Sequence, residues 1–176
     1  MSDSTAPQHD PEAIRRKNRR LVLILSVIVV VGLTIGVYKM AHYNPNYVEK
    51  VDDANRIILK SGEGVNLIGV SVLPWEIPGL GQDAHNFVKG LILKRYVRIE
   101  TGKKEKDAAG WTLGYVFVEK DGKEIFINEE LLRRGLARLK LAFPNLKYRK
   151  RLEAAEAEAK KKKVGFWHPD YNPPGN

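Results

Sequence analysis

The sequence predicts an α+β domain, a small closed barrel with attached helices, carried behind a single transmembrane helix. Three observations lead there. An uncharged apolar block lies near the N-terminus, five short β-type segments fall between Tyr47 and Val118, and a helix-forming run closes the chain. Five strands with interspersed helices in roughly 120 residues suit a barrel of this kind. Periodicity by itself does not separate that barrel from other α+β arrangements.

The apolar block LVLILSVIVVVGLTIGVY runs from Leu21 to Tyr38 without charge or proline. At about 1.5 Å per residue it spans about 27 Å, close to the hydrocarbon thickness of a bilayer. A soluble core helix of that length carries a polar stripe, which this block lacks. A cleaved signal has a shorter apolar region and ends in a small-x-small site. Here the run ends Tyr38-Lys39-Met40-Ala41-His42, so the segment reads as an uncleaved anchor. Arg15, Arg16, Lys17, Arg19 and Arg20 crowd its N-terminal side, against Lys39 on the other. The positive-inside rule then puts the N-terminus in the cytoplasm and the domain across the membrane, on a periplasmic or outer face. In a eukaryotic cell an organelle inner membrane would be the equivalent. The expected division is a disordered basic tail over 1–20, the anchor over 21–40, a linker over 41–46, the domain over 47–170 and a tail over 171–176.

Within the domain, Tyr47–Val51 and Arg56–Lys60 read as strands, followed by a Ser61–Gly64 turn. Val65–Leu73 reads as a third strand, and Trp75–Gln82, rich in Gly and Pro, as a loop. Asp83–Arg95 has helical apolar spacing. Tyr96–Glu100 returns to strand, Gly102–Gly110 reads as a charged surface loop, and Thr112–Val118 as the fifth strand. Asp121-Gly122 signals a hairpin turn. Ile127–Arg134 reads as a short helix stopped by Gly135, and Tyr148–Lys163, dense in Ala, Glu, Lys and Arg, as the longest helix of the domain.

Three stretches in this order resemble the staphylococcal nuclease (thermonuclease) family. VNLIGV is similar to the family's VRLIGIDTPE strand. LGYVFVEKDGKEIFINEELLRRGLARL resembles its GRxLAYVYxDGxxVNxxLVxxGLAxV run. YRKRLEAAEAEAKKKKVGFW resembles the closing LxxAExxAKxxxxGIW helix. The resemblance covers about Val51 to Trp167 and implies a five-stranded OB-fold barrel with about three helices.

It also implies an activity, calcium-dependent phosphodiester hydrolysis. That chemistry needs carboxylates for a hard cation, a carboxylate base for water, and two arginines to stabilise phosphate charge. Carried onto this chain, the first metal aspartate falls on Asn55 and the second on Ser71, with Val72 at the neighbouring threonine. The two arginine positions hold Asn66 and Trp111. The base position falls on Pro74 when read without a gap, or near Glu76 if a local insertion is allowed. Asparagine and serine bring no charge to attract calcium, and tryptophan cannot form a bidentate fork. The resemblance therefore implies a nuclease-like domain with a vestigial site, no metal at Asn55 or Ser71, and no cofactor.

Composition narrows the alternatives. Without cysteine there are no disulfides, thiolate metal sites or cysteine nucleophiles, and the four scattered histidines offer no zinc spacing. Removing the N-terminal cations, Lys39, Asp3, Asp10 and Glu12 from the formal +9 leaves +6 on the remainder. Lys103, Lys104 and Lys106 can touch nucleic acid, although Glu105 and Asp107 interrupt them and an exposed charged loop is the plainer reading. Lys160–Lys163 either bind phosphate or anionic lipid or, the plainer reading, form a solvated last turn that complements the helix dipole. Trp75 and Trp111 either pack in the core or form an apolar docking surface where the family has charge, while Trp167 pins the last helix. The expected role is an anchored, catalytically inactive interaction or accessory module in a membrane protein complex. The alternatives are an anchored calcium-dependent nuclease and a non-catalytic nucleic-acid binder.

Overall fold

The structure, a computed structural model, describes residues 11–41 and 46–171. The chain divides into two compact units, Met1–Tyr43 and Asn44–Asn176. The described residues of the first form one helix, α1 (Pro11–Ala41), and its window Asn18–Ile35 is long and apolar enough to cross a membrane. Its two hydroxyls bond within the helix, Ser26 to the Val22 carbonyl at 2.7 Å and Thr34 to the Val31 carbonyl at 2.9 Å. Each thereby satisfies its donor without water.

The expected disordered tail is helical from Pro11 onward, while residues 1–10 lie outside the described residues. Proline and an acid suit the first helical turn, and Glu12 pairs with Arg16 at 3.6 Å. The basic run needs no nucleus of its own because it continues into the apolar helix. Ala41, expected to open the linker, is the last helical residue. Most of that linker and of the C-terminal tail, 42–45 and 172–176, lies outside the described residues.

The second unit is built on β1 (Val48–Asp53), β2 (Arg56–Leu59), β3 (Gly64–Leu67), β4 (Gly69–Ser71), α2 (Leu80–Ile92), β5 (Arg98–Lys106), β6 (Thr112–Lys120), β7 (Lys123–Phe126), α3 (Ile127–Arg133), β8 (Arg138–Lys140) and α4 (Arg149–Lys162), with a 3₁₀ turn at Gly165–Trp167. The main sheet runs β1-β2-β3-β6-β5, with β3 and β6 parallel and the other pairs antiparallel. It closes through a bridge between Tyr47 and Tyr96. Val48 N–H donates to the Arg95 carbonyl and Val97 N–H to the Asn46 carbonyl, both at 2.9 Å. Closure removes the free edges, giving a five-stranded OB-type barrel. One apolar core fills it, from Val48, Ile57 and Val65 through Tyr115 to Leu131, Leu132 and Leu152.

Two expectations about the strands are corrected. Val65–Leu73 is not one strand, because Gly69 at φ 82° ends β3 and sends β4 away to pair with β8. Only glycine takes that backbone conformation without strain. The edge of β6 beyond β3 is covered by a side chain. Asn128, fully buried, accepts from Val116 N–H at 3.0 Å and donates to the Ile68 carbonyl at 2.8 Å.

The charged stretch Gly102–Gly110 is not a loop throughout. Strand β5 continues to Lys106, and the turn comes only after it. Its backbone partner there is an amide side chain, with Lys104 N–H donating to Asn145 Oδ1 at 2.8 Å and Asn145 Nδ2 donating to the Lys104 carbonyl at 2.9 Å. Such pairing leaves no apolar alternation in the sequence.

Candidate functional site

Tight turns bring three of the expected positions together. The β1–β2 turn carries Asn55, β3 carries Asn66, and the β5–β6 turn ends at Trp111. Asn55 Nδ2 donates to Asn66 Oδ1 at 3.4 Å, and Asn66 Nδ2 donates to Asp107 Oδ2 at 3.3 Å. The other oxygen of Asp107 accepts from the N–H groups of Ala109 at 2.9 Å and Trp111 at 3.0 Å. Asp107 is thus an Asx-turn residue that closes the hairpin, and its carboxylate lies between the two positions that the resemblance assigns to arginine. Burial pushes this carboxyl up, but the N–H of Trp111, the Asn66 amide, the N–H of Ala109 and the charge of Lys104 together hold it below the usual value.

Trp111 is half-buried and lies over Gly64, with the Arg56 guanidinium 5.6 Å from its ring centre. A Cβ on Gly64 would meet ring carbon Cε3 at 2.6 Å. The ring is therefore packed against strand β3. Trp75 differs: it is 46% exposed, in the loop ahead of α2, with the His85 ring 5.9 Å away.

Ser71 ends β4 opposite Arg138, and Glu76 is exposed in the Trp75 loop. Among the described residues neither hydrogen-bonds to the Asn55–Asn66–Asp107 chain. Also among them, no group of three or more His, Cys, Asp or Glu side chains could hold a metal ion. Asp53 is a further acid, buried, its oxygen taken by the Ala54 N–H at 2.8 Å. Burial pushes its carboxyl up and the Glu76 charge adds to that, against the Ala54 N–H, Arg56 and His85. An amide pair, one carboxylate already engaged by its own turn and one buried acid with a raised pKa offer fewer free charged oxygens than a calcium site uses.

Lys103, Lys104 and Lys106 are all exposed along β5. Lys103 borders a groove of about 510 Å³ with Tyr115, Phe143, Pro144 and Lys147. Phe143 is 86% exposed. Sequence reading missed Asp107, which it grouped with a charged loop, and Asn145 and Phe143, which carry no periodic signal. An acid four residues ahead of a strand-opening aromatic, with glycine between, was the available sign of an Asx turn.

The closed barrel with its three helices and Gly135-capped α3 defines a nuclease-like OB-fold domain. The family model described as "Staphylococcal nuclease homologue" matches residues 74–169. A thermonuclease of Staphylococcus hyicus is 37% identical over 164 residues, covering 84% of this chain and 95% of that protein. A thermonuclease of Staphylococcus intermedius is 35% identical over 162 residues, covering 84% of this chain and 94% of that one. The chain belongs to the staphylococcal nuclease family.

Proposed function

We propose that the chain is a membrane-anchored, non-hydrolytic member of this family whose barrel serves as an interaction or accessory module, a subunit of a membrane protein complex. One observation carries the reading. The carboxylate of Asp107 is hydrogen-bonded to Asn66 and to the backbone of Trp111, at the two places where phosphate would need guanidinium groups. A phosphodiester approaching there meets like charge and no bidentate donor. The neutral residues Asn55 and Ser71 add nothing to draw a cation that would offset it. Glu76 alone repels phosphate and has no activated water to serve.

The flanking charge supports a cytoplasmic N-terminus and a barrel on the trans side. Protease added to intact spheroplasts is expected to degrade the barrel; complete protection would reverse the orientation. The chemical test uses purified full-length protein and single-stranded DNA or RNA, with and without calcium. No cleavage above background is expected. Cleavage by the wild type that Glu76→Gln abolishes would mean that a working site has been rebuilt around Glu76. That second reading, an anchored nuclease, is favoured by one observation: both relatives at 35–37% identity bear the name thermonuclease.

A further inference from the structure

The segment after β8 turns tightly and presents an apolar tip. Asn145 N–H donates to the Ala142 carbonyl at 2.7 Å, which closes a turn across Phe143 and Pro144. Phe143 in that turn is 86% exposed, and Leu141 just ahead of it is also exposed. The turn is held firmly from its buried side. Asn145 is buried, its side chain pairs with both backbone groups of Lys104, and its carbonyl accepts from the Tyr115 hydroxyl at 2.9 Å. A Cβ on Gly102 would meet Asn145 Cγ at 2.3 Å, so glycine lets the turn lie this close to β5.

Between the turn and β5 lies the groove of about 510 Å³, within the range of about 300–1,000 Å³ usual for binding sites. Tyr115, Phe143, Pro144 and Leu146 line it, with Lys103 and Lys147 as its charged residues and no acid. Lys147 is paired with Glu100, whereas Lys103 pairs with no acid among the described residues. Segments 101–107 and 140–150, which form the groove and its surroundings, hold seven Lys and Arg against Glu105 and Asp107. Once Glu100 and Glu153, the partners of Lys147 and Arg149, are counted, a charge of +3 remains. The site is an apolar socket in a basic surround.

We propose that this groove docks an acidic segment of a partner protein. One aromatic or aliphatic side chain of the segment packs against Phe143, and flanking Asp or Glu carboxylates meet Lys103 and the neighbouring lysines. Aromatic anchors dominate interface energetics, and a turn fixed before binding loses little freedom on association. Opposite charge selects the partner and speeds its approach. Single-stranded nucleic acid fits the groove less well. It uses several exposed rings along a basic track; here Tyr115 is buried, and Glu105 and Asp107 interrupt the lysines. The inference deepens the interaction-module reading and rests on it.

The test uses full-length protein in mild detergent and fluorescein-labelled heptapeptides with a central Phe. The flanks are Asp and Glu, Asn and Gln, or Lys and Arg; in a fourth peptide Ser replaces the Phe between acidic flanks. Fluorescence anisotropy is expected to show the acidic Phe peptide binding about ten-fold more tightly than the other three. Phe143→Ser and Lys103→Glu should each weaken that binding about ten-fold. Both residues are exposed, so both variants should keep the wild-type melting temperature. Lys120→Gln, which is not part of the groove, should bind as the wild type does. No preference for acidic flanks, or unchanged binding in either groove variant, overturns the inference. Tighter binding of oligothymidylate than of the acidic peptide, abolished by Phe143→Ser, also overturns it and assigns the groove to nucleic acid. Cleavage of that oligonucleotide in calcium overturns the non-hydrolytic reading instead, and the peptides then judge the groove by themselves.

Discussion

Asn66 donates from Nδ2 to the Asp107 carboxylate at 3.3 Å, joining β3 to the hairpin turn between β5 and β6. The same carboxylate accepts two backbone N–H groups of its turn. Neutral and acidic groups thus satisfy one another at positions that the resemblance assigns to arginine. Asp107→Ala removes all three acceptor contacts, and partial exposure lets water replace some. The expected cost is about 1–2 kcal/mol in urea unfolding. Asp107→Asn keeps an acceptor for the turn and should cost less. Equal losses for the two variants would mean that charge, and not turn geometry, sets the contribution.

Acid stability should depend on Glu100. Lys147 donates to its carboxylate, as do Tyr148 at 2.8 Å and Arg98. The Lys147 bond first, then Tyr148 and Arg98, hold the carboxyl down at about 2 against an ordinary 4.5. A depressed pKa means that the folded state binds the proton less readily than the unfolded one. The contribution is present above pH 4.5 and is lost as the pH falls towards 2. Glu100→Gln should flatten the stability profile across that window and leave its slope near neutrality unchanged. An unchanged acid limb would remove Glu100 from the account.

Asn128 should be among the least replaceable polar residues in the barrel. Its amide satisfies Val116 N–H and the Ile68 carbonyl in the core, where water cannot substitute. Asn128→Ala leaves both unpaired, with an expected loss of about 2–4 kcal/mol. Asn128→Asp keeps the acceptor but loses the donor and buries a carboxyl, so it should be no better. A loss under about 1 kcal/mol for Asn128→Ala would mean that the neighbouring strands close over the gap.

The elements most legible in the sequence were those whose signal is local. The apolar block, the Ala/Glu/Lys-rich α4, the Asp121-Gly122 turn and the Gly135 stop each carry their cause within a few residues. What stayed hidden depends on distant partners. The break of β3 at Gly69 makes sense only with Asn128 filling the edge, sixty residues away from Ile68. The end of β5 is a strand because Asn145 pairs with it. The candidate positions at Asn55, Asn66 and Trp111 could be named by resemblance. That Asp107 sits between two of them follows from turn geometry, which no spacing rule exposed.

Calcium should leave stability unchanged. A ligand that binds only the folded state must raise the melting temperature, and Asn55, Ser71, the buried Asp53 and an Asp107 carboxylate already taken by Asn66 and its turn give a hard cation little free charge to bind. Melts of the full chain in calcium and in chelator are expected to coincide. A calcium-dependent rise that grows with concentration would establish a cation site and weaken the non-hydrolytic reading with it.

Trp75 and Trp111 should behave as opposites. The Trp111 ring rests on Gly64 and beneath Arg56, so Trp111→Ala opens a gap beside β3. Full removal of a buried Trp costs about 3–5 kcal/mol, and half burial puts the expected loss below that range, at about 2–3 kcal/mol. Gly64→Ala should act on the same contact from the other side, because its Cβ would sit 2.6 Å from the ring. Trp75 is 46% exposed, and its ring neighbour is His85. Trp75→Ala should leave the denaturation midpoint nearly unchanged. An exposed indole of this kind suits an anchor for a partner protein, since large aromatic side chains dominate interface energetics. Under the proposed accessory role, copurification of a partner protein from mild detergent should therefore weaken in Trp75→Ala at unchanged stability. If Trp75→Ala unfolds the barrel, its ring belongs to the core. If it leaves both stability and copurification intact, this indole is not a docking anchor.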